Sequence, residues 1–226
     1  MESKCPFKSY PMREGLEEPP RMMHGLPDDQ RGYPIPYFVD YVGGEPEFRA
    51  FDQMKLVECL NKRLCWVCGK PLYREMVFVI GPMCGINRVN SEPPNHRECA
   101  LYSVRNCPFL SRPHMVRREG DMPEEPKFAG IAFKRNPGVL CLWYCRKFTL
   151  VKIPGDKNGM GAGVLFDLGH PFKVQWYREG RPANREEVME SINSGLPLLY
   201  EQAENYADKL DIDARLAKLM KLVPRT

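Results

Sequence analysis

Short hydrophobic runs separated by turn residues dominate the first part of the chain, and they predict β-strands. Residues 37–42 (YFVDYV) and 47–50 flank the pair Gly43-Gly44, a pattern typical of a β-hairpin. Asp52 follows at a position that suits a helix N-cap, and apolar residues recur at helical spacing over residues 53–62. We therefore predict a hairpin followed by an amphipathic helix.

The middle of the chain is predicted to hold further strands and one helix. Asn95 stands at a second N-cap position, and the helix after it should continue to about Asn106 because Pro108 would stop it. The residues that follow this helix include long runs of strong β propensity. Strands are expected at residues 73–80, 139–153, 163–167 and 173–177.

Helical spacing of apolar residues returns near the C-terminus. Asn184 would cap a helix that runs to about Asn193 and ends at Gly195, and Pro197 would lie in the first turn of the next helix. A last helix is predicted from Asp213. Strands followed by helices indicate an α+β fold with antiparallel strands and a helical C-terminus.

Two pairs of metal-ligating residues share the same interval. Cys65 and Cys68 stand three positions apart in LCWVCGKPL, and His96 and Cys99 repeat that interval in PPNHRECA. Two thiolates on a tight turn can share one ion with a second pair on the first turn of a helix. Gly69 supplies the permissive backbone that such a turn requires. We predict a structural Zn²⁺ site whose ligands are Cys65, Cys68, His96 and Cys99.

The chain divides into three parts by composition. Residues 1–36 are rich in proline, glycine and charge, which predicts an extended N-terminal arm that wraps the body or stays mobile. Residues 37–120 are predicted to form the zinc-binding module. Residues 121–226 are predicted to form a β-rich segment closed by helices and packed with that module as one unit. At 226 residues, of which 43% are hydrophobic, the chain can bury a core without disulfides.

Cysteine usage and hydropathy bear on location. The 9 cysteines are an odd number, which suits a reducing compartment better than a disulfide framework. No segment approaches the roughly 18 to 20 apolar residues of a membrane span. The N-terminus MESKCPFKSY lacks the apolar region of a secretory signal. We expect a cytoplasmic protein with no membrane partner.

The net charge of +4 conceals an uneven distribution. Residues 14–52 carry nine acidic side chains against three arginines, whereas residues 97–118 carry five arginines against one glutamate. Residues 127–152 carry six basic side chains and no acidic one. Such a face suits a polyanion, and we predict contact with nucleic-acid phosphates. The alternative is a solvated face, or one that pairs with the acidic arm. The candidates are Arg97, Arg105, Arg112, Arg117 and Arg118.

Aromatic residues and further cysteines lie within the predicted strands. Trp143, Tyr144 and Trp176 would stack on bases if they were exposed, but their apolar surroundings favour the core. Cys141 and Cys145 would face the same side of a strand and are predicted to pack there rather than bind metal.

Several segments together carry a resemblance that spans most of the chain. They are RGYPIPYFV, LCWVCGKPL, FVIGPMCGINRVNSEPPNHRECA, CPFLSRP and WYREGRPANREEVMESINSGLPLL. They resemble an uncharacterised protein group of phages and bacterial genomes, and because no activity is assigned to that group, the resemblance implies none. The zinc core is more distantly similar to treble-clef domains, including those of HNH nucleases, which implies a treble-clef-like module.

The resemblance to HNH nucleases is incomplete at the residues that matter for cleavage. A nuclease of that type needs a histidine general base and further ligands for a catalytic divalent ion. His96 is already assigned to zinc, and His24, His114 and His170 stand in no Asp-His or His-His context. We therefore assign no catalytic residue.

Zinc-stabilised nucleic-acid binding is the leading functional hypothesis, and two others stay open. The first is a protein interaction made through the arm or the C-terminal helices, as a phage protein would make with its host. The second is an enzyme, either a divergent metal-dependent nuclease or one that uses His114 beside Arg112.

Overall fold

A computed structural model of the chain describes residues 15–112, 136–153, 163–203 and 205–226. The strands are β1 (Val39–Val42), β2 (Glu45–Phe51), β3 (Met76–Ile80), β4 (Val89–Asn90), β5 (Leu140–Cys145), β6 (Thr149–Ile153), β7 (Gly163–Asp167), β8 (Lys173–Arg178) and β9 (Arg181–Pro182). The helices are α1 (Gln53–Lys62), α2 (Pro82–Asn87), α3 (Arg97–Asn106), α4 (Pro108–Ser111), α5 (Arg185–Glu201) and α6 (Tyr206–Met220), and a short 3₁₀ helix covers Arg21–Met23.

An antiparallel sheet of order β3-β5-β8-β9 lies between two helical layers. Alternate residues of a strand face opposite sides, so Trp143 of β5 packs with the core that contains α2, α5 and α6. Its neighbours Leu142 and Tyr144 pack on the other side, against Ala100 and Val104 of α3. Both faces are therefore buried, and α3 occupies its own side of the sheet.

The other strands form two smaller antiparallel sheets. The hairpin β1-β2 turns at Gly43-Gly44 as predicted, and a second sheet has the order β4-β7-β6. Phe166 of β7 adds its side chain to the core beside α5 and α6. The α+β class with antiparallel sheets and C-terminal helices is thus confirmed.

Several predicted element boundaries are confirmed by capping contacts. The Oδ1 atom of Asp52 accepts hydrogen bonds from the backbone of Met54 at 2.8 Å and of Lys55 at 3.3 Å, which begins α1. Asn184 caps α5, and the Glu187 side chain reaches back to the Asn184 backbone to form a capping box.

The predicted helix break near residue 195 is wrong, because α5 continues through Gly195 and Pro197. Gly195 is buried, and a Cβ atom built on it would lie 2.9 Å from Cγ and Sδ of Met83 in α2. The glycine therefore allows α5 and α2 to pack closely instead of ending the helix. Pro197 leaves the carbonyl of Asn193 without its helical donor, but Asn193 is exposed to solvent.

Three further predictions need correction. Residues 139–153 form two strands in different sheets, because β5 pairs with β3 and β8 whereas β6 pairs with β7. Residues 82–87, after β3, form the helix α2, which the sequence did not predict, with Gly81 as its N-cap. The last helix begins at Tyr206 rather than at Asp213, since Asn205 caps it through the backbone of Asp208.

Residues 15–36 of the N-terminal arm lie against the body. The backbone N–H of Glu17 donates to Oδ1 of Asn106 at 3.0 Å. Met23 is buried beside Cys68 and Tyr102. Within the ranges that the structure describes, no helix combines the length and the apolar character needed to cross a bilayer.

Candidate metal centre

The first half of the site is a tight turn that follows α1. The backbone N–H of Cys65 donates to the Lys70 carbonyl at 2.8 Å, and that of Gly69 donates to the Cys65 carbonyl at 2.8 Å. Gly69 has a φ of +68°, and a Cβ atom there would lie 2.6 Å from the ring of Tyr37. Both the backbone conformation and the packing therefore require glycine at this position.

The second half of the site begins α3. His96 is the N-cap residue of this helix, and Cys99 lies in its first turn. The predicted cap, Asn95, lies one residue earlier and has a different role. Its backbone exchanges two hydrogen bonds with Val77 of β3, at 2.8 and 2.9 Å. Its side chain contacts the cysteine turn at Val67 instead of capping α3.

The four predicted ligands meet at one point. One ligand atom from each of Cys65, Cys68, His96 and Cys99 lies within 4.8 Å of the others, and all four residues are buried. Nδ1 of His96 is 3.3 Å from Sγ of Cys68 and 4.0 Å from Sγ of Cys99. Sulfur and imidazole nitrogen are metal-binding donors, so this cluster could bind a metal ion.

The imidazole of His96 is held in place by a hydrogen bond at Nε2, the nitrogen that faces away from the thiols. Nε2 lies 2.9 Å from the carbonyl oxygen of Pro71, which can accept a hydrogen bond only if Nε2 carries the proton. Once Nδ1 is deprotonated, as metal binding requires, its lone pair faces the three thiols. A carbonyl partner of this kind fixes the ring and raises the basicity of the ligating nitrogen.

Electrostatics within the cluster favour a cation. Hydrogen bonds from the thiols of Cys65 and Cys99 hold the pKa of Cys68 well below its ordinary value. Hydrogen bonding to Cys65 and Cys68 raises the pKa of Cys99 far above it. Burial would lower the pKa of His96, but its hydrogen bonds to Cys65 and Cys68 outweigh burial and raise this pKa to about 10. A cation among the thiols would therefore stabilise Cys68 and Cys99 as thiolates at the same time.

Asn95 is a functional residue that the sequence pattern did not reveal. Its Oδ1 atom accepts a hydrogen bond from the backbone of Val67 at 3.2 Å, and its Nδ2 atom donates to the Val77 carbonyl at 3.4 Å. The side chain, 4% exposed, thus joins the cysteine turn to β3. The backbone N–H of His96 donates to Sγ of Cys65 at 3.4 Å, which supports a negative thiolate.

The structure describes three of the five candidate arginines, and all three are exposed. Burial raises the pKa of Tyr144, and the positive charge of Arg97 nearby opposes that shift. Arg105 forms a 3.7 Å ion pair with Glu17, so the arm does pair with one arginine of this series. Arg112 ends α4. The remaining candidates and the other residues of interest that lie outside the described ranges are Arg117, Arg118, His114, Lys127, Lys134 and Arg135.

The aromatic residues considered as stacking platforms belong to the core. Trp143, Tyr144 and Trp176 are 1%, 3% and 4% exposed, so none presents a ring face to solvent. Cys141 and Cys145 are packed in the same core, as predicted, and burial raises the pKa of Cys145 to about 11. His24 and His170 are exposed and lie outside the metal cluster.

Fold and site together define an α+β protein with a buried cluster of three cysteines and one histidine between a turn and a helix N-terminus. No protein-family model matches the chain, and no curated protein or solved structure matches it either.

Proposed function

We propose that the chain is a zinc-stabilised binding protein, and that its Zn²⁺ is structural. The observation that supports this proposal is the set of four buried protein ligands within 4.8 Å of one another. A catalytic zinc keeps one position open for water or substrate, whereas four protein ligands close the coordination sphere. Three thiolates and an imidazole suit Zn²⁺ better than Mg²⁺ or Ca²⁺, which prefer oxygen.

A treble-clef-like module is part of this proposal. The cysteine turn, β3 and the ligand-bearing helix α3 occur in the order of a treble clef, with α2 and β4 between β3 and α3. The long antiparallel partner of β3 is β5, while the segment before α3 contributes a single bridge at Asn95.

The eight described cysteines are free thiols, which fits a reducing compartment, and we assign the protein to the cytoplasm.

Elemental analysis combined with ligand substitutions tests the metal. We expect one equivalent of zinc in the purified protein, and its loss in Cys65→Ser or Cys99→Ser together with a lower melting temperature. Cys107→Ser is the matched control, because Cys107 lies at the other end of α3 outside the cluster. If Cys65→Ser retained full zinc content and wild-type thermal stability, the ligand assignment would be wrong.

We further propose that the partner is a nucleic acid, bound on the α3 side of the central sheet. Support comes from Arg97, which lies between two metal ligands in sequence and is exposed on the helix that they begin. Arg105 and Arg112 extend the series of exposed arginines along α3 and α4. Arginine can bind a phosphate through bidentate hydrogen bonds, and it is among the residues that make sequence-independent contacts to the nucleic-acid backbone.

A binding titration at two salt concentrations tests the partner. If about three phosphates are neutralised, affinity should fall on the order of 10- to 100-fold between roughly 50 and 200 mM salt. Arg97→Gln should weaken binding and reduce the slope of the salt dependence by about one. A zinc-loaded protein that bound neither DNA nor RNA at low salt would refute the nucleic-acid proposal and leave the structural metal in place.

A further inference from the structure

A second group of residues on the α3 side combines exposed cations with an exposed aromatic ring. It consists of Arg97 of α3, Tyr144 and Arg146 at the end of β5, and Phe172 and Lys173 at the start of β8. Sequence reasoning did not single out Phe172, which follows Gly-His-Pro in a turn. We call these five residues the Phe172 patch.

The strand register places the patch on one face. Tyr144 and Lys173 are directly paired across β5 and β8, so their side chains lie on the same side of the sheet. That side is the one covered by α3, since Tyr144 packs with Ala100 and Val104. Arg97 lies one turn before Ala100 on the same face of α3, the face that packs against Tyr144.

Phe172 is the exposed ring of the patch. Its side chain is 44% exposed, whereas Tyr144 beside it is 3% exposed at a ring separation of 6.1 Å. The guanidinium of Arg146 lies over the Phe172 ring at 4.6 Å and so covers one of its faces. A large apolar ring that remains this exposed beside three cations is suited to a flat ligand that also carries negative charge.

The charges of the patch are only partly compensated within the described residues. Arg146 forms an ion pair with Glu75 at 2.9 Å. Arg97 and Lys173 form no ion pair with any carboxylate that the structure describes, and Lys173 lies over the Tyr144 ring at 5.1 Å. These two cations are therefore available for phosphates.

We infer that the Phe172 patch is a subsite for single-stranded nucleic acid, in which a base stacks on Phe172 and the neighbouring phosphates contact Arg97 and Lys173. This inference rests on the proposed nucleic-acid function and specifies its substrate class. A base has a free face for stacking only when its strand is unpaired, whereas a duplex presents phosphates and groove edges. A second exposed ring, Tyr73, lies 5.0 Å from His96, the residue before Arg97, and extends the surface towards the metal cluster.

Fluorescence anisotropy with a labelled single strand of about 12 nucleotides, and with a hairpin duplex of matched length, tests the inference. Zinc-loaded wild-type protein should bind the single strand more tightly than the duplex. Phe172→Ala should weaken single-strand binding about tenfold or more, and Phe172→Tyr should retain it because the ring is kept. Lys173→Gln should weaken binding and lower the salt slope by about 0.7 for a single strand.

Lys218→Gln is the matched control for charge. Lys218 is an exposed residue of α6, which packs on the opposite side of the central sheet, so its loss should leave single-strand affinity within about twofold of wild type. Melting temperature and zinc content establish that each variant is folded before binding is compared.

The outcomes separate the inference from the function on which it rests. Binding that favours the duplex, or that is unchanged in Phe172→Ala, overturns the stacking subsite while the proposed nucleic-acid function stands. Absence of binding to both probes overturns both. Weakening by Phe172→Ala and Lys173→Gln, with rescue in Phe172→Tyr, supports the subsite.

Discussion

Asn95→Ala provides a sharp test of how the metal cluster is held in place. The Asn95 side chain is 4% exposed and joins the Val67 backbone of the cysteine turn to the Val77 carbonyl of β3. Alanine removes both contacts and the 3.9 Å contact of Oδ1 with Sγ of Cys65, but keeps the backbone pairing between residues 77 and 95. The substitution therefore separates the turn from the strand without replacing a ligand.

The expected loss in the free energy of unfolding follows from the backbone groups that lose their hydrogen-bond partner. The N–H of Val67, a residue 6% exposed, would lose its acceptor, and a buried unsatisfied donor costs about 1 to 3 kcal/mol. The longer bond to the Val77 carbonyl, at 3.4 Å, adds about 0.5 to 1 kcal/mol. We expect the free energy of unfolding to fall by about 1.5 to 4 kcal/mol, and zinc affinity to fall about 10- to 100-fold because the turn loses an outer partner.

Asn106→Ala is the matched comparison. Asn106 is also a buried asparagine that accepts from a backbone N–H, that of Glu17, and donates to a carbonyl, that of Tyr102. It lies at the far end of α3, so its loss should destabilise the fold without changing zinc affinity. Chemical denaturation and a zinc competition titration measure the two quantities. Equal zinc affinities in the two variants would refute the role assigned to Asn95.

Two further predictions concern local geometry and pH. Gly69→Ala should destabilise the protein by about 1 to 3 kcal/mol more than Gly43→Ala. Both glycines have positive φ, but only Gly69 lies against a ring, that of Tyr37. Thermal denaturation of the two variants measures the difference. The Glu187 carboxylate has a pKa below its usual 4.5, since Arg181 donates to it. Glu187→Gln should therefore lower stability above pH 4.5, and its difference from wild type should shrink as pH falls below 4.5; a constant difference down to pH 2 would contradict this.

Local patterns were sufficient to predict the cluster of three cysteines and one histidine and several caps. Cys65 with Cys68, and His96 with Cys99, are close in sequence, so one turn and one helical turn fix each pair. Asp52 and Asn184 act on backbone groups two or three residues away, and both predictions are confirmed. Features set by residues this close in sequence depend little on the rest of the fold.

Tertiary packing decided the features that the sequence did not predict. Gly195 resembles a helix end locally, yet its position against Met83 makes it an interior residue of α5. Asn95 resembles a cap, yet the bridge between its backbone and Val77 turns its side chain towards the cysteine turn. Phe172 carried no sequence signal, because only the pairing of β5 with β8 brings it beside Tyr144 and Arg146.

The geometry of α3 predicts that the proposed metal and the proposed binding surface are coupled. The side chain of His96, its N-cap residue, accepts no capping hydrogen bond, so bound zinc on His96 and Cys99 would hold the first helical turn instead. Arg97 lies within that turn, whereas Lys173 is held by the central sheet. Zinc removal should therefore weaken single-strand binding in wild type and in Lys173→Gln, but have little further effect in Arg97→Gln. An equal loss in all three proteins, with the sheet still folded by circular dichroism, would show that zinc does not act through Arg97.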